Sequence, residues 1–144
     1  MSKLLKYYKH CISLKFRFSD FDLIGHMNNA KYQTFLEDAR IAYFREVIGA
    51  NEDNWQFNSV VSTIKINYIK PIEYGDEIKL YTRFTNFSAK THEAHNLFIR
   101  TNKSGADEIV CQAHTLMACF NYQTKQPADF PENYISRVNE FEGI

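Results

Sequence analysis

Residues 30–48 place Tyr32, Phe35, Leu36, Ala39, Tyr43, Phe44, Val47 and Ile48 at steps dominated by three and four. That spacing gathers them on one face of a helix, about nineteen residues and roughly 28 Å long. Gly49 is the expected stop. A helix with so much apolar surface must be covered, and the remaining patterns are strands. Residues 12–18, Ile-Ser-Leu-Lys-Phe-Arg-Phe, alternate with the period of a half-buried strand. Residues 59–69 are rich in β-branched side chains. Pro71 ends that run, and Tyr74-Gly75-Asp76 supplies a turn. Residues 77–87 alternate again, and residues 92–101 and 108–120 make two more strands around the turn at 103–107. One strand, one long helix and four strands predict an α+β fold, with an antiparallel sheet wrapped around one central helix. Residues 50–58, with the only tryptophan, Trp55, read as a loop. The polar stretch 126–144, with Pro127 and Pro131, reads as a peripheral tail of a single 1–144 domain.

Composition narrows the function. With 17 basic and 17 acidic residues the formal net charge is +0. No basic surplus points to nucleic acid, and no charge block suggests a disordered tail. Cys11, Cys111 and Cys119 are an odd count without metal-ligand spacing. They read as reduced thiols of a cytoplasmic protein. The start, Met-Ser-Lys-Leu-Leu-Lys, is broken by lysines and does not read as a signal peptide. No segment reads as a membrane span.

The chemistry is concentrated before the helix. Asp20, Asp22, Gly25 and His26 occupy a short polar turn, and Asn28-Asn29 stands where the helix begins. Asn is a favoured N-cap. The free amides of a first helical turn carry partial positive charge and can receive an oxyanion. A carboxylate, an imidazole and a helix N-terminus therefore fall within a few residues, the inventory for attack on a carbonyl. Taken alone, Asp22 reads first as a turn-former or helix-capping anion, and Gly25 serves a tight turn in either case.

The run Asp22-Leu23-Ile24-Gly25-His26-Met27-Asn28-Asn29-Ala30-Lys31-Tyr32 resembles the D-x-x-G-H-x-N-N-x-x-Y signature of hot-dog-fold acyl thioesterases. The closest group is the 4-hydroxybenzoyl-CoA thioesterase-like family, and plant acyl-carrier-protein thioesterases carry a related motif. The resemblance covers roughly residues 10 to 125. It implies a hot-dog fold and hydrolysis of acyl-CoA thioesters to free acid and CoA, without metal or other cofactor. It implies that Asp22 acts as nucleophile or general base and that the Asn29 N–H polarises the thioester oxygen. His26 stands where the plant motif has its histidine, but Ile24 replaces the asparagine between them. The resemblance assigns Asp22 and His26 to catalysis, and Gly25, Asn29, Tyr32 and Lys90 to the substrate side. Lys90 falls where basic residues of the family contact CoA phosphates. Assembly as a homodimer or homotetramer, with substrate at a subunit interface, is implied as well.

Two other readings stand beside this one: an acyl-carrier-protein thioesterase, and a non-catalytic acyl-binding protein on the same fold. Asp20 reads as solvated or structural, and Tyr32 as core or pocket wall. His92 and His95, three apart on a strand, fall on opposite faces, so with His114 and Cys111 they make no expected metal set. No phosphate loop or serine nucleophile elbow is present in the sequence.

Overall fold

The computed structural model describes residues 2–50 and 58–144. The expected loop around Trp55 lies outside the described residues. After a short helix α1 (Ser2–Leu5) come β1 (His10–Ser13), a 3-10 turn at Phe18–Asp20, and the long helix α2 (Asn29–Tyr43). Then follow β2 (Asn58–Tyr68), β3 (Ile78–Thr85), β4 (Thr91–Thr101), β5 (Asp107–Asn121), the two-residue β6 (Gln126–Pro127) and α3 (Glu132–Glu142). The sheet order is β1-β3-β4-β5-β2, every neighbouring pair is antiparallel, and β6 pairs with β5. A curled antiparallel sheet around one long helix is the hot-dog fold. Among the described residues, no helix is long and apolar enough to cross a membrane.

Local chemistry sets the helix ends. Asn28 is extended, and its side chain accepts from the Ala30 amide at 3.0 Å. At the other end the chain widens into a π-type turn over Phe44–Ile48. The Phe44 amide is shared between the carbonyls of Arg40 and Ile41. Gly49 then stops the helix at a φ of 77°, a left-handed conformation that suits glycine. The periodic face points where the sequence sends it. Tyr32, Phe35, Leu36 and Ala39 pack on Ile78 and Leu80 of β3, Phe98 of β4, and Cys111 and Ala113 of β5. Each large side chain so buried contributes about 1.5–3 kcal/mol.

Two expectations need correction. The first strand is shorter than 12–18: its ladder with β3 ends at Ser13, although the Leu14 amide still donates to the Ile78 carbonyl at 2.9 Å. Beyond it Asp20 draws the chain into a turn by accepting from the Arg17 amide. The stretch 126–144 is not peripheral. Phe130, Tyr134 and Val138, at steps of four, are buried with Tyr43, Ile48, Phe84 and Cys119 in a second core cluster. Glu142, one further step on, is buried too; it accepts from the Tyr43 hydroxyl at 2.5 Å and the Phe84 amide at 3.3 Å. The polar residues that made this stretch look peripheral lie on the other face of α3. Tyr32 lies in the core, one of the two places expected for it, 2% exposed and edge-on to Tyr68 with ring centroids 4.9 Å apart. Burial pushes its hydroxyl up to about 12.

Candidate active site

The turn before α2 is closed by backbone bonds at three levels. The Asn28 amide donates to the Asp20 carbonyl at 2.8 Å, and Phe21 bridges to Met27. Above them the Asp22 amide donates to the His26 carbonyl at 2.9 Å, and the Gly25 amide to the Asp22 carbonyl at 3.0 Å. Gly25 closes this turn at a φ of 86°, where a side chain would be strained. A second contact fixes the turn to the connection between β2 and β3: the Met27 amide donates to the Ile72 carbonyl at 2.8 Å, and His26 bridges to Glu73.

The two acids of the turn stand in different surroundings. Asp20 is buried, at 6% exposure. Its carboxylate accepts from the Arg17 amide at 2.7 Å and lies 3.6 Å from the Lys31 ammonium. It is a structural anchor. Asp22 is exposed. Its Oδ1 accepts from the amides of Ile24 at 2.9 Å and His26 at 3.2 Å. Among the described residues no donor is bonded to Oδ2. Two backbone amides on Oδ1 therefore orient an exposed carboxylate.

His26 joins the site through its backbone: its amide holds Asp22 Oδ1 and its carbonyl receives the Asp22 amide. Asn29 is the first residue of α2, where a helix provides no acceptor for the N–H. Around the turn, Phe18 (84% exposed), Leu23, Ile24 and Tyr74 form an apolar rim, with Tyr74 edge-on to Phe18 and Phe21. Sequence reading placed Tyr74 in a turn with Gly75 and Asp76 and did not single out Glu73, because the contacts of Tyr74 with Phe18 and Phe21 and of Glu73 with His26 depend on the tertiary fold. Beside Glu73 opens a polar cleft of about 630 Å³. Its wall is a satisfied ion network in which Arg100 bonds Glu108 at 2.7 Å and Asp76 at 2.9 Å.

Lys90 is not brought to Asp22 within one chain. It precedes β4 and pairs with Asp129 at 2.7 Å. Ile72 and Ile78, which adjoin the turn, lie at the end of the sheet where β3 meets Arg100. Lys90 lies at the other end of β4, an eleven-residue strand, roughly 35 Å long. His92 and His95 do fall on opposite faces. His92 is fully buried, with Nε2 2.9 Å from Ser59 Oγ, and His95 faces the outer side of the sheet beside His114.

A sheet wrapped on its helix, with an exposed carboxylate in the turn before the helix, defines the class of hot-dog thioesterase folds. The model of the thioesterase-like superfamily matches residues 16–138, and the chain belongs to that superfamily. A curated relative, the uncharacterized protein YsmA of Bacillus subtilis (strain 168), is 28% identical over 81 residues. That match covers 56% of this chain and 54% of the relative, so the chain spans about half the length of the curated relative it matches. A solved thioesterase from Thermus thermophilus, complexed with coenzyme A and Zn, is 25% identical with a TM-score of 0.80, covering 96% of this chain and 98% of that one. A mutant of 4-hydroxybenzoyl CoA thioesterase complexed with 4-hydroxybenzoyl CoA shares the fold, with a TM-score of 0.82 at 15% identity, covering 90% of this chain and 97% of that one.

Proposed function

We propose that the protein hydrolyses acyl-CoA thioesters to a free acid and CoA. The observation that carries this reading is the exposed Asp22 carboxylate, held through Oδ1 by two backbone amides in the turn before α2. Membership of the thioesterase-like superfamily, and neighbours solved with coenzyme A or an acyl-CoA, support the thioester as the bond attacked. Asp22 attacks the carbonyl carbon directly, or takes a proton from water that attacks it. Either route places negative charge on the carbonyl oxygen, and the Asn29 N–H receives it. One such pre-aimed donor contributes about 3 kcal/mol to the transition state. Collapse expels the CoA thiolate, which takes up a proton. On the direct route, water then releases the acid from Asp22.

The active unit in this reading is a dimer. Among the described residues β2 pairs only with β5, which leaves an eleven-residue edge open. Open edges are paired or covered in stable proteins. Joining two β2 edges antiparallel about a two-fold sets one subunit's Asp22 turn at the same end as the partner's Lys90 segment. The apolar rim around Asp22 then lies along the joint, where it serves as acyl wall.

The test is thiol release over short, long and aromatic acyl-CoAs and the matching acyl-carrier-protein thioesters. Hydrolysis of the CoA forms by wild type, lost in Asp22→Asn, supports the proposal. Turnover of the carrier-protein forms alone moves the reading to that substrate. Binding without turnover leaves an acyl-binding protein.

A further inference from the structure

We propose that Glu93, His95 and His114 form a binding site for a zinc-class divalent cation on the outer face of the sheet. The site is separate from the Asp22 turn and independent of the thioesterase reading.

Register assembles it. Glu93 and His95 are two apart on β4, so their side chains leave the same face. His114 of β5 is the direct cross-strand partner of His95. That face is opposite to the one carrying His92, Ala94 and Phe98 into the core. The carboxylate Oε2 of Glu93 lies 2.9 Å from His114 Nε2 and 3.2 Å from His95 Nε2. One donor atom from each residue lies within 4.8 Å of the other two. Tetrahedral zinc with bonds of about 2.0–2.1 Å needs donors roughly 3.3 Å apart, so small side-chain rotations about fixed strands suffice.

The donor set selects the ion. Two imidazole nitrogens and one carboxylate oxygen suit zinc and the neighbouring borderline metals, whereas magnesium and calcium take oxygen ligands. The Glu93, His95 and His114 side chains are 27%, 35% and 44% exposed. That is open enough for an ion to enter and for water to complete the shell, while the strands hold the ligands in place. The nearby cation, Arg83, is the cross-strand partner of His95 on the same face, and its Nε lies 3.6 Å from the Glu142 carboxylate that partly balances it. Without metal the same three groups make a carboxylate hydrogen-bonded to the His114 imidazole and 3.2 Å from that of His95, and the experiment separates the two states.

Chelator-treated full-length protein is titrated with zinc chloride by calorimetry, and its thermal unfolding is followed with and without zinc. The expected result is one zinc per chain with a dissociation constant in the micromolar range or below, a raised melting temperature, and no response to magnesium. Glu93→Gln and His114→Ala should each weaken binding by at least about tenfold and abolish the thermal shift, while Cys11→Ser keeps both. Cobalt in place of zinc should give four-coordinate visible absorption in wild type that Glu93→Gln lacks. This readout holds even where His114→Ala folds poorly. No binding by wild type, or equal zinc and cobalt responses in the two ligand variants, overturns the proposal and leaves a hydrogen-bonded cluster.

Discussion

The Asn28 amide donates to the Asp20 carbonyl at 2.8 Å. This bond ties the first residue outside α2 to the end of the 3-10 turn, so the segment carrying Asp22 is a loop with fixed ends. The same Asp20 uses its carboxylate to hold the Arg17 amide. Two acids two residues apart thus divide the work: Asp20 shapes the loop, and Asp22 presents an oxygen from it.

Asp22→Asn should lower acyl-CoA turnover by at least about a hundredfold, the low end for loss of a general base. The amide oxygen can still accept from Ile24 and His26, so stability should stay within about 0.5 kcal/mol of wild type. His26→Ala should cost much less turnover, because His26 holds Asp22 through backbone atoms. Steady-state hydrolysis with parallel urea unfolding checks both, and a well-folded Asp22→Asn protein with near wild-type turnover removes Asp22 from the mechanism.

Asp20→Ala should behave in the opposite sense. It strips a buried acceptor from the Arg17 amide, a change that costs about 1–3 kcal/mol. Its effect on turnover should be secondary to displacement of the loop. Urea denaturation reads the loss directly, and unchanged stability would mean that Asp20 does not anchor the turn.

Mixed dimers test the shared site. If the partner's Lys90 serves the Asp22 of the first subunit, Asp22→Asn and Lys90→Ala chains each make defective homodimers. Co-refolding the two should restore one intact site per mixed dimer. Recovered activity at low substrate is the expected outcome. Activity no higher than the average of the two homodimers places Lys90 outside the site.

Stability should fall in acid because of His92. Burial, with a smaller push from Arg40, lowers this imidazole from 6.5 to about 3. The fold therefore holds it neutral, while the unfolded chain takes up a proton below 6.5. The contribution is fully present above that value and is lost as pH falls toward about 3, at up to about 1.4 kcal/mol per pH unit. Urea unfolding of wild type and His92→Gln between pH 7 and about 4 measures this, and the variant should lose less stability over the range. Equal slopes would show that His92 does not govern the acid limb.

Leu36 is fully buried between helix and sheet, and Leu36→Ala should cost about 3 kcal/mol. Chemical denaturation gives that figure directly. A loss under about 1 kcal/mol would place Leu36 outside the tight packing.

What the sequence determined by itself was set by short-range rules. The helical face from Tyr32 to Ile48, the Asn28 cap, the Gly49 stop and the alternating strands follow from bonds and periodicities spanning a few residues. The Asp22-to-Asn29 turn was legible for the same reason, since its hydrogen bonds run among residues 20 to 28. Only the tertiary structure decided the rest. Phe130, Tyr134 and Val138 have an apolar face, but its burial requires Phe84 and Tyr43, far away in the chain. Lys90 lies near Asp22 in neither sequence nor space within one subunit, so the proposed relation between them rests on the sheet edge that β2 leaves open among the described residues. Glu93, His95 and His114 meet because β4 and β5 pair in one register. A slip of one residue would send one strand's side chains to the opposite face, and no short-range pattern in either strand specifies that register.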